Sequence, residues 1–144
     1  MAVSNLDFAS QVDAWVSKTR QRMESVFKES TQRTVSAAQA MIPVDTGYAR
    51  ASIRASLTSM PSIDPASFNK EGAPIPYDGA EVAGVIAAAE LGGTIYVGWT
   101  ARYVQFLENG HSKQAPSGFV RIAAMQFPDI VAQVTAEAKS RAGA

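Results

Sequence analysis

The chain contains no cysteine and a single histidine, His111. The first absence excludes disulfides, thiolate nucleophiles and the common structural zinc sites, so the fold rests on packing alone. The second leaves His111 as the one side chain whose ordinary pKa suits general acid-base work near neutral pH. An excess of charge is missing too: 13 basic residues balance 13 acidic ones. The broad positive field that nucleic-acid binding draws on is therefore absent, which disfavours a general DNA-binding role. No stretch approaches the roughly 20 consecutive apolar residues of a membrane span, and the first ten residues carry no basic cluster followed by an apolar run of signal-peptide length. The expectation is a protein that folds in the cytoplasm and has no membrane partner. At 144 residues, one domain covering 1–144 is the simplest reading.

Proline and glycine are also absent from Asn5 to Met41, where Phe8, Val12, Trp15, Val16, Met23, Val26, Phe27, Val35, Ala38 and Met41 recur at three- and four-residue steps. That spacing predicts one helix, started by Ser4 with Asp7 three residues on. Such a helix measures roughly 55 Å, longer than a compact domain of this size is wide, so it either kinks near Ser30–Thr34 or packs partly on something else. The charges Lys18, Arg20, Arg22, Glu24, Lys28, Glu29 and Arg33 read as a solvated face. Pro43 ends the helix and Asp45-Thr46-Gly47 turns the chain. From Ala49 to Thr58 small or apolar residues alternate with Arg50, Ser52, Arg54, Ser56 and Thr58, a strand signature. Met60 to Gly79 holds four prolines and no periodicity, a long loop of the kind that is usually functional or disordered.

Glu81–Ala89 fits helix or strand by composition. The Leu91-Gly92-Gly93-Thr94 turn favours a strand there, hairpinned to Thr94–Thr100, for a sheet of at least three strands. Ala101–Asn109 reads as a short helix closed by Gly110, and Phe119–Arg141 as a last helix kinked or split by Pro128. The fold class expected is α+β, with a long N-terminal and a C-terminal helix on a small, mainly antiparallel sheet.

Chemistry finds little support in the sequence. Asp-Thr-Gly occurs once and follows a helix and a proline, whereas the aspartic-protease use needs a paired carboxylate and preceding strand residues. His111 and Glu108 alone do not make a site, and no Gly-x-Ser-x-Gly elbow or phosphate-cradling glycine loop is present. Asp45, Asp64 and Asp78 have no recognisable metal-ligand spacing. No catalytic residue, cofactor or metal is therefore assigned. Trp99, Arg102 and Tyr103 suit base stacking on their residue types, but core packing is the commoner use. Charge is unevenly spread: 1–58 carries about +2, 59–98 about −4 and 99–144 about +2. Opposite signs on one neutral chain suit head-to-tail contact between copies and intramolecular pairing equally.

Three blocks stand in one order: Pro43-Val44-Asp45-Thr46-Gly47-Tyr48-Ala49-Arg50-Ala51-Ser52-Ile53, then Tyr103-Val104-Gln105-Phe106-Leu107-Glu108-Asn109-Gly110-His111, then Pro116-Ser117-Gly118-Phe119-Val120-Arg121-Ile122-Ala123. Together they resemble the tail-component, or tail completion, family of long-tailed bacteriophages. The resemblance implies a structural virion protein of the neck, needed for tail completion and head-tail joining. It also implies a homo-oligomeric ring, six copies by tail symmetry, that contacts head-tail connector or adaptor proteins, the tail terminator and the tail tube. DNA would pass through the lumen without sequence-specific binding. The alternative is a tail terminator that caps tube polymerisation and sets tail length. The interface candidates that follow are Asp45, Thr46, Gly47, Arg50, Arg54, Glu108, His111, Phe119 and Arg121. Arg50 and Ser52 are expected on the polar face of the strand, Phe119 and Ile122 as anchors of the last helix. The 60–79 loop is expected to be mobile and to order on docking.

Overall fold

The computed structural model describes residues 4–110 and 118–143. Helix α1 spans Asn5–Met41 without a break. Ser4 caps it, its Oγ accepting the Asp7 N–H at 3.1 Å while its hydroxyl donates to the Asp7 carboxylate at 2.8 Å. The other end stops at Pro43, where the Ile42 N–H makes the last bond, to the Ala38 carbonyl at 3.0 Å. The helix is unbroken through Ser30–Thr34. Thr31 and Thr34 spend their hydroxyls on the carbonyls four residues back, Phe27 and Ser30, and the helix carries on.

The strand expected over Ala49–Thr58 is less than half as long. Gly47, at φ +84°, leads into a single helical turn, α2 (Tyr48–Ala51), closed by the Ser52 hydroxyl donating to the Ala49 carbonyl at 2.7 Å. Only Ile53–Ser56 forms strand β1. It pairs antiparallel with β2 (Tyr96–Trp99) in the register Ile53↔Trp99 to Ser56↔Tyr96. Among the described residues the sheet has two strands, not three or more. The segment between them that read as a strand is helix α3 (Ala80–Ala88), which buries Val82 and Ile86, four residues apart, against β1 and α1. The glycine turn after it exists, with the Gly93 N–H on the Glu90 carbonyl at 3.0 Å, but it joins a helix to a strand. Alanine-rich composition and the i, i+4 apolar pair outweigh the turn signal.

Helices α4 (Val104–Glu108) and α5 (Phe119–Arg141) complete the chain. Pro128 lies inside α5 without splitting it; Pro128 and Ala124, the residue whose carbonyl loses its partner, are both exposed, so water can take that acceptor. The α+β architecture is as expected: two long helices and a small antiparallel sheet. Among the described residues no helix is long and apolar enough to cross a membrane.

The core is one cluster around Trp99 and Phe119, whose rings meet edge to face at 5.2 Å. The end of α1 enters it through Val35, Ala38 and the adjoining Ile42, with Ala37 and Met41 packed against the cluster. Helix α5 runs back along α1, from the core at Phe119 to Ala142 beside Thr19. Beyond that point no other described residue covers α1, and every residue from Ser4 to Lys18 is exposed.

Candidate functional site

The candidates resolve into two clusters joined by a buried relay, and a bare helical arm that lies apart from both. The first cluster is the Asp45-Thr46-Gly47 turn. The Thr46 carbonyl accepts the Ile75 N–H at 2.8 Å, and the Thr46 hydroxyl accepts the Tyr48 N–H at 3.3 Å. A Cβ on Gly47 would stand 2.7 Å from the Ile75 carbonyl oxygen, so glycine is required twice, by φ and by space. Asp45 is exposed at the rim. Arg50 sits on α2, not on a strand face, with its guanidinium 6.0 Å from the Tyr77 ring. Ser52 is buried behind it rather than lining a polar face. This turn therefore clasps the far end of the 60–79 segment.

That segment is strapped down along its length. Asp64 N–H reaches the Thr100 carbonyl at 2.9 Å, Arg102 N–H the Ser67 carbonyl at 2.8 Å, and the Tyr48 and Ser67 hydroxyls meet at 2.8 Å. Arg102 stacks on Phe68 at 4.4 Å, so it holds the strap instead of facing a base. The segment expected to be mobile is bonded to the body at these points, and its Asn69–Gly72 turn is closed by Asn69, which donates to the Ala73 carbonyl and accepts the Gly72 N–H.

The second cluster is the junction of α4 and α5. Glu108 accepts the Val120 N–H at 2.9 Å and the Arg121 N–H at 3.2 Å, while its own carbonyl accepts the Gly118 N–H at 2.7 Å. The carboxylate thus caps the positive end of α5 from outside the helix. Arg121 folds back to pair with the same carboxylate at 3.3 Å. Gly118 has φ +84°, and a Cβ there would crowd the Arg121 guanidinium at 3.1 Å. His111 lies outside the described residues. Arg54, on β1, lies in neither cluster; it donates to the Ala51 and Ile53 carbonyls and stands 3.9 Å from Glu81. That pair ties the basic first segment to the acidic middle one within a single chain.

Between the clusters runs a link that sequence reasoning missed. Gln39 donates to the Arg50 carbonyl at 2.9 Å and accepts the Trp99 indole N–H at 2.7 Å, and Trp99 packs on Phe119. The available signal was a lone amide among Val35, Ala38 and Ile42 on the core-facing line of α1. Trp99 is core, not a stacking platform, and Phe119 is the anchor expected of it at 1% exposure; Ile122 is half-buried. Tyr103 is half-buried nearby, where burial pushes its hydroxyl pKa up.

The arm is the longest run of exposed residues among those described. Leu6 is 84% exposed, Trp15 67% and Phe8 64%, with Val12 and Val16 also open. Phe8, Val12, Trp15, Thr19 and Met23 follow one another along one line of the helix. The core positions Val35, Ala38 and Ile42 lie about a third of a turn round from that line. One helix therefore carries two separate apolar faces, one filled by the body and one largely open. No protein family, curated protein or solved structure matches the chain.

Proposed function

We propose that this chain is a structural subunit of the bacteriophage neck, assembling as a ring, six copies by tail symmetry, at the head-proximal end of the tail and joining tail to head. The single observation that carries the reading is the bare apolar arm. Four helical turns with large apolar side chains in water are a cost to a lone molecule and a gain to one with neighbours. The order of the three sequence blocks, which resembles the tail completion family, supplies the biological setting.

On this reading the clusters are scaffolding. Glu108 and Arg121 fix the start of α5, the Asp45–Gly47 turn fixes the strap, and both aim surfaces at neighbours rather than at a substrate. The partners are further copies of the chain, the connector or adaptor above and the terminator and tube below, with DNA passing through the lumen. The mechanism is interface formation without catalysis.

Electron microscopy of particles from a phage with an early stop codon in this gene tests the proposal. Separate filled heads and tails of normal length are the expected outcome. Overlong tails would assign the chain to tube termination instead. Joined, intact particles would remove the neck role.

A further inference from the structure

The arm has a counterpart on the same molecule. Where α5 runs along α1, the two helices leave an open apolar groove of about 720 Å³, walled by Met23, Val26 and Phe27 on one side and Phe127 and Val131 on the other. Phe127 and Met23 are 38% and 53% exposed, so no described residue fills the groove. We infer that this groove receives the Asn5–Lys18 arm of a second copy of the chain, apolar face down, in a head-to-tail contact. The inference rests on the assembly reading above for its setting, and names the partner and the mode of contact.

Three observations favour this occupant. The arm cannot reach its own groove, because it continues the very helix that forms one wall; the occupant must come from another molecule. The charges are complementary: within Asn5–Lys18 the charged side chains are Asp7, Asp13 and, at its end, Lys18, whereas among the described residues those lining the groove are Arg22 and Lys139, with Glu24 at its edge against the Leu91 backbone. The lengths match as well, since the arm runs for roughly 21 Å and the α1 wall from Thr19 to Ser30 for roughly 18 Å. Laying an apolar helical stripe into such a groove is an established mode of recognition.

The contact is heterologous, because each copy offers one arm and one groove that are different surfaces. Contacts of this kind either close into a ring or run on as a filament. Pairing arm to arm would bury one face and leave every groove empty.

Two experiments on the full chain decide the point. Native mass spectrometry and analytical ultracentrifugation should show that Trp15→Asp, which damages the arm, and Phe127→Asp, which damages the groove, each weaken self-association by about tenfold or more. Mixing the two variants should then give one-to-one dimers, since one sound arm and one sound groove remain. Both positions are exposed, and circular dichroism checks that each variant folds. Because the chain has no cysteine, single Val12→Cys and Phe127→Cys chains carrying different tags report the same geometry by oxidation. Heterodimeric cross-links that reducing agent reverses are expected. Cross-linking of Val12→Cys only with itself would establish arm-to-arm pairing and overturn the inference. No cross-link, no self-association, or a mixture of the two Asp variants that stays monomeric would overturn it equally. Phage morphology is a separate readout: joined particles from the stop-codon phage would remove the neck role and leave a demonstrated arm-groove contact standing.

Discussion

Glu108 shows how a single side chain turns a local sequence pattern into architecture. Its carboxylate takes two of the N–H groups that the first turn of α5 cannot satisfy internally, and its charge lies at the positive end of the helix. Arg121 then neutralises it from the other side. Replacing Glu108 by Ala orphans both donors, and the expected loss is about 2 kcal/mol. Glu108→Gln keeps one oxygen to accept but points an amide group at the second donor, for a loss of about 1 kcal/mol. Denaturant unfolding of the two variants checks the order Ala below Gln below the parent. Equal stability of all three would mean that the cap is idle. A Glu at the end of α4 and eleven residues before α5 has no local signature, which is why its role was not legible from spacing.

At the scale of elements, the contact between α1 and α5 is held by charge as well as by apolar packing. Arg33 donates to both oxygens of Glu137, at 3.2 and 2.6 Å, and to Glu29 on its own helix. The Arg33 bond holds the Glu137 carboxyl below its usual pKa, and Lys28 does the same for Glu24. Folded pKa values below the unfolded ones mean that these groups contribute stability above pH about 4.3, a contribution lost as pH falls through the folded values. Arg33, raised further above its usual value, stays charged throughout. Thermal melts from pH 7 to pH 3 should therefore fall less steeply for Glu137→Gln than for the parent, with part of the gap between them closing at high salt.

The elements themselves were legible to different degrees. The helices α1 and α5 were, because long 3.6-residue periodicity has few competing explanations. The α3 segment was not, since a short apolar alanine-rich run followed by two glycines fits a hairpin as well as a helix. Arg50 and Ser52 were misplaced because alternation across Ala49–Thr58 hides a helical turn that only Gly47 φ and the Ser52 bond reveal. The clustering of the blocks around Trp99 depended on Gln39, whose place among Val35, Ala38 and Ile42 marks it as core-facing but does not name its partner 60 residues away.

For the whole molecule, folding and assembly occupy different parts of the same helix. The core uses α1 from Val35 onward, and α5 covers it back to about Thr19, so the arm contributes no buried residue to the monomer. Polar substitution of the arm therefore has little to disturb within one chain. Replacing Leu6, Phe8 and Trp15 together by Gln should leave the unfolding free energy of the dilute monomer within about 0.5 kcal/mol of the parent, as for surface positions in general. Gln is among the better helix formers, so the arm keeps its helicity. The same triple variant should lose the concentration dependence of melting temperature that an assembling parent shows, because a neighbour that binds only the folded chain raises its stability by mass action. Melts across a hundredfold range of protein concentration check both halves at once. A large drop in the stability of the dilute variant would mean that the arm belongs to the monomer's own fold. A variant that keeps the parent's concentration dependence would mean that copies meet elsewhere.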